Sequence, residues 1–469
     1  MPEKIRSTQP PLKFLPPKFN PFIHQLTKLA FPLLLRFRFR PWLPSGISNF
    51  ETENVVELVK LYQQFQAGKV RFLMAFRHPE VDDPLSMFYL LSRAVPKAAK
   101  QHSIFLQKLT HSHFIYDRGM TVWAGDWLGW YFSKLGGMPI RRGKRIDKRA
   151  LQVARQLFTN SNMPLSIAPE GATNGHSGIV SPLEPGVSQL AFWCIEDLIK
   201  ENRSEEVFIL PITIKYSYPK PPWRKLDWLL TKLERESGLV TISSNNLTNQ
   251  NKEEIYYQRI LKLAEHLVVQ MEDFYQRFYH INFEPIEIDS EFEPNTEFIK
   301  RLQRLLDKAL TVAEQYFSVP PQGTLIDRCR RLEDVGWSYI YREDLADLNT
   351  LAPLTKGLAD WVAIEADQRM KHMRLVESFI AVSGNYITEK PTFERFAEMT
   401  LLMFDLISRL KDNTLPGRPR LGWRQSHISV GKPISVTQRW NKYSESRHSA
   451  REEVSNLTQE IYQELKNMI

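Results

Sequence analysis

Val70-Arg71-Phe72-Leu73-Met74-Ala75-Phe76 runs directly into Arg77-His78-Pro79-Glu80-Val81-Asp82-Asp83-Pro84. The first segment carries one charge among apolar and aromatic residues, the content of a short buried strand. A buried strand holds its own end rigidly, so the loop that leaves it suits a group that must meet a substrate at a fixed angle. His78 stands in that loop, with Asp83 five positions further on. An imidazole acts as a general base near neutral pH, and a carboxylate on one ring nitrogen fixes the tautomer and stabilises the imidazolium. Asp82 competes for the same nitrogen. Adjacent residues in a loop or first helical turn point in different directions, so only one of the two is expected to reach the ring. The spacing alone also occurs by chance, and a histidine capping a loop beside a surface acid would read the same way.

Three later segments give the pair a context. They are Gly137-Met138-Pro139-Ile140-Arg141-Arg142, then Ile167-Ala168-Pro169-Glu170-Gly171, then Val207-Phe208-Ile209-Leu210-Pro211-Ile212. Together with His78 and Asp83 they resemble, in order and rough spacing, the four blocks of the glycerolipid acyltransferases, the family that includes lysophosphatidic acid acyltransferase. The resemblance covers residues 65–217 or so. It implies that His78 removes the proton from a substrate hydroxyl as that oxygen attacks an acyl thioester, with Asp83 orienting the imidazole. It selects Asp83 over Asp82. It makes Arg142 the acceptor-phosphate ligand, a role that suits the planar two-pronged guanidinium. A solvated basic loop is the plainer reading of Arg141-Arg142-Gly143-Lys144-Arg145. Glu170 is expected to bond the acceptor or to shape its own loop, and Gly171 to let backbone approach the ligand.

The chain departs from the family at informative places. After Pro-Glu-Gly the family usually continues Thr-Arg-Ser; here Ala172-Thr173-Asn174 follows, and neutral Thr173 stands where a cation is usual. The family usually has Asn before the histidine and a neutral residue two after it, where this chain has Arg77 and Glu80. The acceptor is therefore open: a phosphorylated glycerolipid such as 1-acyl-glycerol 3-phosphate, or a lipid without a phosphate. The donor implied is acyl-CoA or acyl-carrier protein, with no cofactor besides it. A non-catalytic lipid-binding relative and a basic interaction protein are the competing classes; the intact His78, Asp83, Arg142 and Glu170 count against the first.

The chain has 469 residues, 42% of them hydrophobic, and two cysteines, Cys194 and Cys329. That is enough to bury a core, and two cysteines make no disulfide framework and no metal-ligand pattern. His111-Ser112-His113 is the nearest approach to a metal pair, without an acidic or cysteine partner at useful spacing. The net charge is +9, and eight basic residues against one acid lie before residue 45. There Leu29-Ala30-Phe31-Pro32-Leu33-Leu34-Leu35 precedes Arg36-Phe37-Arg38-Phe39-Arg40. The apolar run is far short of the ~20 residues that cross a bilayer, and its prolines argue against a cleaved signal peptide. Cations interleaved with Phe and Leu suit an anionic membrane surface. Nucleic acid is the alternative for a basic arm; the apolar interleaving disfavours it. The expected location is membrane-associated, on the cytoplasmic face. Trp123, Trp127 and Trp130 fall at helical spacing, either as core or as a membrane-facing edge.

Residues 1–46 thus read as a basic, proline-rich, membrane-associating segment. Residues 47–222 alternate helix and strand: a helix from about Glu51 to Gln66, another over Asp147–Asn160, another over Ser188–Lys200. This predicts an α/β fold, a mixed sheet flanked by helices. Residues 223–420 read as helices, with patterns at Lys252–His280, Asn295–Phe317 and Thr324–Ile340. Strand character returns at Ser426–Val436, where Val-Gly-Lys-Pro-Ile resembles a strand that in the family closely follows the fourth block, and a helix covers Ser444–Ile469. The expectation is an acyltransferase fold interrupted by a large helical insertion of unassigned role, and closed by residues 421–469.

Overall fold

The computed structural model describes residues 7–38, 46–107, 109–141, 147–240, 252–284, 294–345, 347–348, 350–377, 385–411 and 417–469. They divide into two units. One contains Phe14–Arg141, Asp147–Lys220 and Gly422–Ile469; the other contains Pro221–Leu421 together with residues 7–13.

The first unit is α/β, built on a mixed eight-stranded sheet. Its strands are β1 (Ile47–Glu53), β2 (Val70–Phe76), β3 (His113–Asp117), β4 (Gly137–Ile140), β5 (Leu165–Ile167), β6 (Glu206–Ser217), β7 (Arg424–Val430) and β8 (Ile434–Ser435). The order is β1-β7-β6-β2-β5-β3-β4, with β8 also on β6. β2 to β6 run parallel to one another, whereas β7 and β8 run antiparallel to β6. β2 explains itself: Val70, Phe72, Met74 and Phe76 pack with the helices Val55–Gln66 and Asp83–Tyr89 on one face. Leu73 and Ala75 pack with Lys148–Asn160, Gly186–Lys200 and Arg447–Asn467 on the other. A strand covered on both faces must be apolar throughout. Pro211 sits in β6 where the partner changes, Ile212 pairing with Val430 and Ile209 with Ile434. A proline lacks an N–H for the ladder and is tolerated where the ladder is interrupted.

Several boundaries differ from the sequence reading. Glu51–Glu53 belong to β1, not to a helix; left-handed Asn54 (φ 55°) separates that strand from the helix Val55–Gln66. His113 opens β3. The tryptophan segment is two helices, Met120–Ala124 and Asp126–Lys134, broken at Gly125 with φ 93°. Trp123 therefore lies on a different helix from Trp127 and Trp130, and the latter two are exposed. The expected Ser426–Val436 strand breaks into β7 and β8, and Ser446 caps the last helix, Arg447–Asn467.

The segment Phe14–Arg36 is laced to the Asp126–Lys134 helix. Lys18 N–H donates to Ser133 O and Asn20 N–H to Lys134 O, both at 2.8 Å, and Thr27 Oγ1 meets Tyr131 Oη at 2.8 Å. Asn20 caps the helix Pro21–Arg36. Pro32 inside it leaves the Lys28 carbonyl without its helical donor; Arg93 Nη2 supplies one at 3.3 Å.

The second unit is helical among its described residues, with long helices Lys252–Tyr279, Pro294–Phe317, Leu325–Ile340, Pro353–Glu377 and Phe393–Leu410. Thr324 and Asp327 form a reciprocal capping box at the start of Leu325–Ile340, which satisfies two orphan N–H groups at once. Gln9 pairs with Tyr341 in this unit.

Candidate functional site

Because β2, β3, β4, β5 and β6 are parallel, their carboxyl ends share one edge of the sheet. In open α/β sheets that edge is where ligands are held. His78 leaves β2 there, and Glu170 leaves β5. His78 Nδ1 lies 2.9 Å from Asp83 Oδ2. The His78 side chain is 24% exposed, while the Asp83 side chain is wholly buried. Glu80 N–H donates to the same Oδ2 at 2.8 Å, and Tyr216 Oη–H donates to Oδ1 at 2.6 Å. Both oxygens of Asp83 are thereby held, with Nδ1–H donating and Nε2 left to accept. Among the described residues no hydrogen bond holds Nε2.

Asp82 points the other way. It is buried against Arg424 of β7, which also lies 3.9 Å from Glu80. Asp82 and Glu80 keep the Arg424 guanidinium protonated despite its burial. Behind Asp83 the Tyr216 hydroxyl continues to Ser86 Oγ (3.1 Å) and on to Ser426 Oγ (2.9 Å). Burial, then the Asp83 charge, push the Tyr216 phenol well above its ordinary value, so it stays a donor. Tyr216, Ser86, Ser426 and Arg424 carried no local signal in the sequence. Only the pairing of Tyr216 with Ser426 between β6 and β7 brings them together.

Glu170 is 3% exposed and shapes its loop. Its Oε1 accepts His78 N–H at 3.0 Å and pairs with Arg77 Nε at 3.5 Å. Its Oε2 accepts Ser181 N–H at 2.9 Å and the Asn174 amide at 3.1 Å. Arg77, wholly buried, donates to the carbonyls of Ser177 (2.7 Å), His176 (2.9 Å) and Ile179. Two of the departures, Arg77 and Asn174, thus act as one brace on residues 174–181. Gly171 takes φ 73°, the left-handed turn that glycine adopts without strain. Thr173 is exposed. Arg142, with Gly143, Lys144 and Arg145, lies outside the described residues. Arg141 N–H donates to Asp147 Oδ2 at 3.3 Å, and Asp147 also caps the helix Lys148–Asn160.

His111 and His113 are held by the protein. His111 Nε2 bonds Leu135 O at 2.9 Å; His113 bonds Gly136 O at 2.9 Å and Ser161 Oγ at 2.8 Å. Burial, with His24 adding to it, pushes the His111 pKa down to about 3. Among the described residues no three His, Cys, Asp or Glu side chains gather as metal ligands. Comparisons with protein-family models and with curated proteins return no match for this chain.

Proposed function

We propose that this protein is an O-acyltransferase of acyltransferase fold, moving a fatty acyl group from an acyl thioester to a hydroxyl of a glycerolipid. The observation that carries this is the His78 Nδ1–Asp83 Oδ2 bond of 2.9 Å beneath a part-exposed ring, at the carboxyl edge of the parallel strands. Nε2 takes the proton of the acceptor hydroxyl as that oxygen attacks the thioester carbonyl. Asp83 steadies the imidazolium. As the tetrahedral intermediate collapses, the C–S bond breaks and the leaving thiolate takes the proton from Nε2. Oriented general-base catalysis of this kind supplies roughly 10²–10⁴-fold.

The donor is acyl-CoA or acyl-carrier protein. A phosphorylated acceptor such as 1-acyl-glycerol 3-phosphate would be gripped by Arg142. An acceptor without phosphate is the second reading, and a specific observation favours it: the cations described beside His78, Arg77 and Arg424, are held by protein groups, and Thr173 is neutral. The deciding experiment is incubation with labelled acyl-CoA or acyl-carrier protein and a panel of glycerol 3-phosphate, lysophosphatidate and neutral lysolipids, with His78→Ala as the blank. Product above the blank with one acceptor class names that class. No product with any pairing of donor and acceptor rejects the proposal.

A further inference from the structure

The helix Pro21–Arg36 is packed inside out. Its buried residues are His24, Thr27 and Phe31. His24 sits among rings, 4.7 Å from His111 and 5.3 Å from Phe88, and Thr27 bonds Tyr131. Facing solvent are Phe22 (73% exposed), Leu26 (52%), Leu29 (78%), Leu33 (52%) and, at its end, Phe37 (57%). Their spacing of three or four residues puts them on one face. A helix of a water-facing surface does the reverse, and single exposed apolar residues need no explanation whereas a contiguous row does. The neighbouring helix Asp126–Lys134 extends the row. Trp127 lies one turn before Tyr131, the residue that meets Thr27, and it and Trp130 are 46% and 53% exposed.

Charge identifies the occupant. Residues 14–46 contain Lys18, Lys28, Arg36, Arg38 and Arg40 and no Asp or Glu. Leucine and phenylalanine on one face, tryptophans at its border and cations without acids are the pattern that takes an anionic bilayer surface. The helix is 16 residues long, and among the described residues no helix is long and apolar enough to cross a membrane. We infer that the Phe22–Leu26–Leu29–Leu33–Phe37 face, with Trp127 and Trp130, is an in-plane docking surface for an anionic lipid bilayer. It goes beyond the acyl-transfer proposal and stands without it.

The test is vesicle co-sedimentation of the full chain, with no substrate present, on phosphatidylcholine alone and on phosphatidylcholine with added phosphatidylglycerol. Failure of the acyl-transfer proposal therefore leaves this result untouched. The wild type should bind the anionic vesicles more tightly, less so as salt rises. Leu29→Glu with Leu33→Glu should weaken that partition by roughly tenfold or more, because it removes inserted apolar area and adds repelled charge. Trp130→Ser, on the other helix, should weaken it by roughly threefold. Leu354→Glu with Trp361→Glu, equally exposed on the second unit (76% and 65%), should change it by less than about twofold. Wild-type protein that ignores anionic vesicles, or Leu29/Leu33 and Trp130 variants that bind as the wild type does, would overturn the inference. So would an equal loss from the Leu354/Trp361 pair. A lipid-free dimer that Leu29→Glu with Leu33→Glu converts to monomer, without vesicle binding by the wild type, would make a second copy of the chain the occupant.

Discussion

The two units bury charge in different ways. In the helical unit, Arg259 donates to Glu234 (2.8 Å) and Asp227 (2.6 Å), and Arg328 to Glu314 (2.8 Å) and Asp307. Each of these clusters closes on itself. In the α/β unit two buried carboxylates converge instead, while Asp82 closes on Arg424: Asp83 is held by Tyr216 and Glu80, Glu170 by Arg77 and Asn174, and these two reach His78, one at its ring and one at its backbone. Buried ion pairs by themselves are common structural devices, of doubtful net stabilisation but costly to break. Buried carboxylates that converge on one part-exposed histidine, at its ring and at its backbone, are a better mark of chemistry.

The largest effect expected from that difference is at the dyad. Asp83→Asn should lower kcat for acyl transfer by about 10²–10⁴-fold, close to His78→Ala, since base and orienting acid act as a unit. Asp82→Asn should instead destabilise the fold, because it leaves Arg424 buried with a weaker partner, and should lower kcat much less per folded molecule. Initial rates normalised to folded protein decide this; equal kcat losses for the two aspartates would refute the assignment.

Arg328→Met probes the other side of the comparison. It strands Glu314, so unfolding should become easier by about 3–5 kcal/mol, while kcat/KM per folded molecule stays within about twofold of wild type. Urea denaturation and activity measured on the same preparation check both halves. A large kcat/KM loss in still-folded protein would bring the helical unit into the chemistry.

In one respect the units should behave alike. Burial and His24 push His111 down to about 3, and burial and Arg369 push His372, in the helical unit, down to about 4. The unfolded chain takes up these protons near the ordinary value of 6.5, and the folded chain resists. Stability is thus complete above pH 6.5 and is lost as the pH falls from there towards 3–4. Each histidine should weaken the fold by about 2 kcal/mol between pH 7 and pH 5. Denaturation midpoints at the two pH values test the sign, and His111→Gln with His372→Gln should flatten the dependence. Equal stability at both pH values would contradict it.

What could be read from the sequence follows from how local each feature is. β2 was legible because burial on both faces demands an unbroken apolar run. β1 was not: at the sheet edge its residues alternate and include Glu51 and Glu53, which read as a helix start. His78 and Asp83 were legible because a strand end and a five-residue interval carry them. Which neighbour Asp82 faces was fixed only by Arg424, 342 positions away. The Tyr216–Ser86–Ser426 chain likewise depends on a strand pairing that no nearby residue announces. Arg77 and Asn174 read separately as departures from a family pattern; folded, they are one brace.

β7 lies between β1 and β6, and this gives the molecule an order of assembly. During synthesis both flanking strands leave the ribosome long before the strand that separates them. Arg424, which claims Asp82, therefore reaches the sheet only after the strands and the loop around His78 have been made. Strand β7 does more than fill a slot in the sheet. Its Arg424 holds Asp82 away from the histidine ring, so a residue 342 positions further along the chain secures the acid that the ring does not use.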